Sequence, residues 1–299
     1  MKSLALISIA VLAALTGCAP TGSSSNVPVD EISIVASTNV YGDIAATIAG
    51  DLAEVTSIID SPAQDPHSFE GNVRIQLALS QADIVIQNGG GYDDWATTLL
   101  AGADNESAVV LSASDISGYD QTEGFNEHVW YDFPTMERLA TELASRLSKL
   151  DPESAATFQS NAEAFIADLD ALQQREAALS DLVAGAGAAI TEPVPLYLLS
   201  AAGFVNVTPG DFSEAIEEGT DVPPLVLEQT LNLFPSGTAA ILVYNEQTTG
   251  PETEQVLRAA DDAGTPVVGV TETMPADLHY IGWMTATLDA IEAAMQPQG

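Results

Sequence analysis

Apolar residues recur along this chain in two rhythms, short unbroken runs and longer stretches with helical spacing, and their alternation predicts an α/β fold. Ile32–Ser37 (ISIVAS), Ala53–Ile59 (AEVTSII), Asp83–Gln87 (DIVIQ) and Ala108–Leu111 read as strands, while Tyr41–Ala49, Val73–Ser80 and Trp95–Leu100 have helical spacing. Gly50 is suited to end the first helix. Asn88-Gly89-Gly90-Gly91 reads as a turn, because neither G-x-G-x-x-G nor a following lysine accompanies the glycines. Pro134 fits the first turn of a helix carrying Met136, Leu139, Leu143, Leu147 and Leu150 at helical intervals. A second helix, from Asp151-Pro152, sets Ala155, Ala162, Phe165, Ile166, Leu169 and Leu172 on one face. Unbroken to about Ser180, it spans on the order of 40 Å, enough to pass between domains. Its stripe covers too few heptads for a coiled coil. Beyond it, Gly187–Thr191, Thr238–Tyr244 and Pro266–Thr271 read as strands, and Pro195–Ala202, Glu252–Ala263 and Gly282–Met295 as helices. Strands alternating with helices imply parallel sheets. The expected architecture is two parallel-sheet α/β lobes, residues 31–150 and 182–299, joined by one long backbone helix over 151–181. The halves share a pattern but no recognisable sequence repeat.

The first thirty residues follow different rules. Lys2 precedes the apolar run Leu4–Leu12, which is short for a membrane span and reads as an export signal over residues 1–17. Leu15-Thr16-Gly17-Cys18 resembles the lipobox of bacterial lipoproteins, where cleavage before the cysteine leaves that residue lipid-modified. The polar tract Ala19–Asp30 then reads as a flexible tether, within a tethered segment 18–30. The expectation is an extracytoplasmic protein, lipid-anchored to the bacterial cell membrane through Cys18. Since Cys18 is the only cysteine, no internal disulfide can form.

Composition narrows the partners. With 43 acidic and 7 basic residues the formal charge is −36, which repels nucleic acids and anionic lipid surfaces. The chain contains only three histidines. His67 lies in Asp65-Pro66-His67-Ser68-Phe69-Glu70, on a loop beyond the strand Ala53–Ile59, and His128 lies in Asn126-Glu127-His128-Val129-Trp130-Tyr131-Asp132. Glu192 and Glu272 each follow a strand of the second half, as does Glu246. In parallel α/β proteins ligands gather at such strand ends. Taken singly, each also reads as a structural histidine or a solvated carboxylate, and His279 reads as a loop residue.

Taken together, these segments resemble the zinc/manganese-binding lipoproteins that deliver metal to bacterial ABC importers, the cluster A-I or zinc-uptake-type solute-binding proteins. The resemblance runs from about Glu31 to the C-terminus, through Asp65–Glu70, through Ala78–Asp83 leading to Asn88-Gly89, and through His128–Asp132. Glu192, with Tyr197 and Gly203 after it, is similar to the segment holding the family's third ligand, and Thr271-Glu272-Thr273 to that holding its fourth. The resemblance therefore implies a metal site of His67, His128, Glu192 and Glu272 in a cleft between the lobes, with Glu246 in reserve for the fourth position. It implies one divalent ion as transported ligand, a monomer and an ABC permease as partner, while a single rigid helix between the lobes predicts a small closure rather than a wide hinge motion. The sequence departs from the family in lacking a His-rich acidic loop, in having no third histidine, and in placing Glu where Asp is usual at the fourth position. Two imidazoles and two carboxylates balance a divalent cation, and the oxygen donors place Mn²⁺ ahead of Zn²⁺, with Fe²⁺ also compatible. A metal-dependent hydrolase is the competing reading, although H-E-x-x-H and G-x-S-x-G are both absent. A surface adhesin on the same scaffold is another.

Overall fold

A computed structural model describes residues 31–296 apart from positions 62, 68 and 123. The expected export signal, Cys18 and the tether lie outside the described residues. Strands β1 (Ile32–Thr38), β2 (Ala53–Ile59), β3 (Ile84–Gln87) and β4 (Val109–Ser112) alternate with helices α1 (Asn39–Ala49), α2 (Val73–Gln81), α3 (Asp94–Gly102) and α4 (Ala113–Ser117). Helices α5 (Phe133–Leu150) and α6 (Ala155–Val183) follow. The second half contains β5 (Gly187–Ile190), α7 (Leu196–Ala201), β6 (Val205–Asn206), α8 (Gly210–Glu217), α9 (Pro224–Asn232), β7 (Ile241–Asn245), α10 (Pro251–Ala263), β8 (Val267–Val270) and α11 (Tyr280–Met295). All strand pairings are parallel, in the orders β2-β1-β3-β4 and β6-β5-β7-β8. Numbered within each half, the two orders are the same, 2-1-3-4, a likeness of topology that the sequence did not reveal as a repeat.

The pleat sorts each strand's residues between two cores. Ile34 and Ala36 of β1, Ile84 and Ile86 of β3, Ala188 and Ile190 of β5, and Ile241 and Val243 of β7 all join one continuous apolar cluster with α1, α5, α6 and α11. The intervening Val35 and Val85 face the other way, onto Leu79 of α2. Ala189 and Leu242 do the same in the second sheet, packing with Phe212 and Ile216 of α8 and with Val256 and Ala260 of α10. Helices thus cover both faces of each sheet, as purely parallel sheets require.

Helix α6 has 29 residues, about 44 Å at the usual rise. It begins at Ala155, later than the Asp151-Pro152 start expected from sequence, because the Asp151 carboxylate accepts hydrogen bonds from the Glu153 and Ser154 amides and holds a turn there. Leu150, expected on the buried stripe of α5, ends that helix exposed. Phe158, Phe165, Leu169 and Leu172 of α6 are buried, and Phe165 meets the Tyr280 ring of α11 at 5.8 Å. Arg175 adds hydrogen bonds to Asp289 at 2.6 Å and to Glu292 at 2.9 Å. Among the described residues no helix is long and apolar enough to cross a membrane.

Candidate metal centre

The carboxyl ends of both sheets meet at one place, and hydrogen bonds tie them together there. Asn39, just after β1, donates its amide to the Met274 carbonyl at 2.7 Å and accepts from the Met274 amide at 3.1 Å. The Tyr131 hydroxyl donates to the Thr271 carbonyl at 2.8 Å, and the Tyr280 hydroxyl to the Trp130 carbonyl at 2.6 Å. Asn126 donates to the Pro193 carbonyl at 3.1 Å while its own carbonyl accepts from Tyr197 at 2.7 Å. The loops of His128, Glu192 and Glu272 are therefore held against the opposite half.

His67 is exposed, on the loop after β2. Its amide donates to the Asp65 carboxylate at 2.9 Å, and the Trp95 indole donates to the Pro66 carbonyl at 3.0 Å, fastening the loop to α3. The His67 ring meets the edge of the buried Tyr92 ring at 4.9 Å. Tyr92 is placed by the glycine turn, whose φ angles of 73°, 66° and 101° at Gly89, Gly90 and Gly91 favour glycine. A Cβ on Gly89 would also come within 2.5 Å of the Ser112 hydroxyl. The turn closes on Asp93, whose carboxylate accepts from the Asn88 and Gly89 amides at 2.7 and 2.8 Å.

His128 is fully buried, and Asn126 decides its tautomer. Because the Asn126 amide nitrogen donates to Pro193, its oxygen must be the atom 2.7 Å from His128 Nδ1, so Nδ1 carries the proton. The same oxygen accepts from the His128 backbone amide at 3.1 Å. Nε2 is left as a lone-pair atom, buried and without a hydrogen-bond partner among the described residues. Burial, and then His67, hold the His128 pKa well below the ordinary histidine value, so the ring is neutral near pH 7.

Glu192 and Glu272 lie two residues past the ends of β5 and β8 and are 2% and 8% exposed. One amide serves both: Asn245, at the end of β7, donates to Glu192 and, at 2.8 Å, to Glu272. The Glu272 backbone amide donates to Gln247 at 2.6 Å. Glu192 Oε1 is buried without a hydrogen-bond partner among the described residues. Burial, followed by the charge of Glu192, pushes the Glu272 carboxyl up to about 8. Burial raises Glu192 as well, against the hydrogen bonds from Asn245 and Thr248.

Donor atoms of His67, His128 and Glu272 all lie within 4.8 Å of one another, the span that a single ion can bridge. A cavity of about 160 Å³ lies against Glu272, lined also by Gln64, Asp65, Gln247 and Thr248. Glu246 lies elsewhere: it is exposed, and its side chain crosses Gly269 on β8. His279 is also away from the cluster, its exposed ring 2.5 Å from Asp43.

The structure adds residues that the sequence reading passed over. Glu217, the last residue of α8, brings Oε1 to 3.6 Å from His128 Nε2, and this buried oxygen also has no hydrogen-bond partner among the described residues. Donor atoms of Glu217, Glu127 and His67 form a second set within 4.8 Å. Burial, followed by the charges of Glu127, Glu192, Glu272 and Glu218, pushes the Glu217 carboxyl up to about 9. Carboxylates packed against one another in this way repel unless a proton or a cation joins them. The helical spacing of Phe212 and Ile216 was a signal for α8, but nothing local says that Glu217 turns inward among 43 acidic residues.

Comparison with known proteins agrees with this fold. The chain is 28% identical over 249 residues, 77% of its own length and 81% of the relative's, to the manganese-binding lipoprotein MntA of Halalkalibacterium halodurans. The structure of the solute-binding protein FpvC from Pseudomonas aeruginosa in complex with Mn²⁺ superposes with a TM-score of 0.72, at 21% identity, over 90% of this chain and 100% of that one. A mutant of the laminin-binding adhesin Lmb from Streptococcus agalactiae gives 0.74 at 19% identity, over 89% of this chain and 100% of that one. At these identities the two structures speak for the fold. The profile described as "Zinc-uptake complex component A periplasmic" matches residues 34–294, nearly the whole described chain, and the protein belongs to that family.

Proposed function

We propose that this protein captures a divalent transition-metal ion through His67, His128, Glu192 and Glu272 and passes it to the permease of an ABC importer. It is anchored outside the cytoplasm by lipid on Cys18. The observation that carries this reading is that two buried lone-pair atoms, His128 Nε2 and Glu192 Oε1, have no hydrogen-bond partner among the described residues and lie among carboxylates whose own charges destabilise one another. Leaving such atoms unpaired is costly; a cation among His67, His128 and Glu272 would satisfy His128 Nε2 and cancel the repulsion, and Glu192, which is outside that 4.8 Å set, would move to join it. Carboxylate oxygens beside two imidazoles favour Mn²⁺ over Zn²⁺ more than an all-imidazole site would. The name of the MntA relative points the same way. Binding and release, rather than hydrolysis, fit a site filled by protein donors from both sheets, since catalysis requires an open coordination position.

Loading acts as a clamp, because the donors come from loops of both halves. The Asn39–Met274 and Tyr131–Thr271 bonds already join the halves beside α6, so the accompanying movement is small. The test is to strip the purified protein of metal, titrate Mn²⁺, Zn²⁺ and Fe²⁺, and follow the melting temperature. A ligand at 100 times its Kd stabilises by about 2.7 kcal/mol, and His128→Ala should abolish that rise. If none of the three ions raises the melting temperature, the protein is not a metal carrier.

A further inference from the structure

We propose that Glu217 is itself a donor to the bound cation, beside His128, making a five-donor site that selects Mn²⁺ over Zn²⁺. This rests on the reading of His67, His128, Glu192 and Glu272 as the metal site, and adds to it a residue from another element. Phe212 and Ile216 anchor α8 in the apolar layer behind the second sheet, which sets Glu217 at the inner end of the helix. From there Oε1 reaches to 3.6 Å from His128 Nε2, where both atoms are buried and neither has a hydrogen-bond partner among the described residues.

That distance is too long for a hydrogen bond, yet suited to two donors on one ion. Atoms each about 2.1 to 2.2 Å from a shared metal and 3.6 Å apart subtend an angle of about 110 to 120° at it. Tetrahedral pairs and the equatorial pairs of five-coordinate geometry both have this separation, so the two atoms are placed to share one ion. His67 belongs to both donor sets, one with His128 and Glu272 and the other with Glu127 and Glu217, so the two sets adjoin, and the 3.6 Å approach of Glu217 to His128 bridges them. Zn²⁺ is satisfied by four donors, whereas Mn²⁺ takes more ligands and favours carboxylate oxygen. The added carboxylate therefore matters to Mn²⁺ and adds little for Zn²⁺.

The experiment compares the full chain with its Glu217→Gln variant by chelator competition for Mn²⁺ and for Zn²⁺, with electron paramagnetic resonance of the Mn²⁺-loaded forms. The expected result is a loss of at least tenfold in Mn²⁺ affinity, a change in Zn²⁺ affinity within threefold, and an altered Mn²⁺ spectrum. Glu218→Gln, on the exposed neighbour, should match the wild type. Unchanged Mn²⁺ affinity in Glu217→Gln would overturn the inference, and so would equal losses for both metals. If Glu217→Gln does not fold, Glu217→Asp carries the same comparison, since its shortened arm retains charge but withdraws the donor. A wild-type chain that binds neither ion refutes the parent reading of the site instead.

Discussion

Asn126 holds the imidazole that the site depends on, so replacing it with alanine should separate orientation from stability. The substitution removes three hydrogen bonds, to His128 Nδ1 at 2.7 Å, to the His128 amide at 3.1 Å, and to the Pro193 carbonyl at 3.1 Å. It also leaves the Nδ1–H of a fully buried ring without an acceptor. At about 1 kcal/mol for each bond, with some compensation by water, the metal-free protein should lose on the order of 2 to 3 kcal/mol. Free to rotate or to move its proton to Nε2, His128 should bind metal more weakly by roughly 10- to 100-fold, about 1.4 to 2.8 kcal/mol. Asn126→Asp retains an acceptor for both His128 donors but loses the donor to Pro193, so it should destabilise the fold while keeping affinity within about tenfold at pH 8. Urea denaturation of the metal-free protein and chelator competition with Mn²⁺ measure the two quantities independently. If Asn126→Ala weakens the fold yet binds Mn²⁺ like the wild type, the bond to Nδ1 does not prepare the ligand, and the tautomer argument fails.

Other substitutions test the remaining assignments. Glu272→Ala should lower Mn²⁺ affinity by more than about 100-fold, beyond the effect of outer positioning residues, whereas Glu246→Ala should leave it unchanged; the reverse result in the same titration would exchange their roles. Glu176, buried in α6, has its carboxyl pushed up to about 8 by burial and then by the charge of Asp132. Between about pH 4.5 and 8 the folded chain retains that proton and the unfolded chain releases it, so this contribution to stability is full in acid and is lost as pH rises through 8. Glu176→Gln should flatten the decline and gain on the order of 2 kcal/mol at pH 8, allowing for partial screening. Parallel pH profiles in urea melts of the two metal-free proteins would refute it. Phe158→Ala, at a fully buried position on α6, should cost about 3 to 5 kcal/mol in the same assay.

Much of the architecture was legible because it is written locally. The pleat has a period of two and the helix one of 3.6, so the runs at Ile32–Ser37, Ala53–Ile59 and Thr238–Tyr244, and the stripe from Met136 to Leu147, predict elements before any partner is known. Errors fell where a local competitor acts at a boundary, as at Asp151, whose carboxylate captures the amides that would otherwise open α6. They fell too on short elements, such as the two-residue, exposed edge strand β6 and the helices α8 and α9 of eight and nine residues.

The site divides in the same way. His67 and His128 stood out as rare residues in recognisable segments, and Glu192 and Glu272 as strand-end carboxylates. By itself, then, the sequence determined the alternation of strands and helices, the long central helix and four candidate donors. Only the tertiary structure decided the common 2-1-3-4 strand order, the sharing of Asn245 between Glu192 and Glu272, and the inward turn of Glu217 toward His128. Each of these joins residues at least 18 positions apart. No local periodicity encodes such contacts; they follow from how apolar faces pack, and that packing selects which few of many acidic side chains are removed from water.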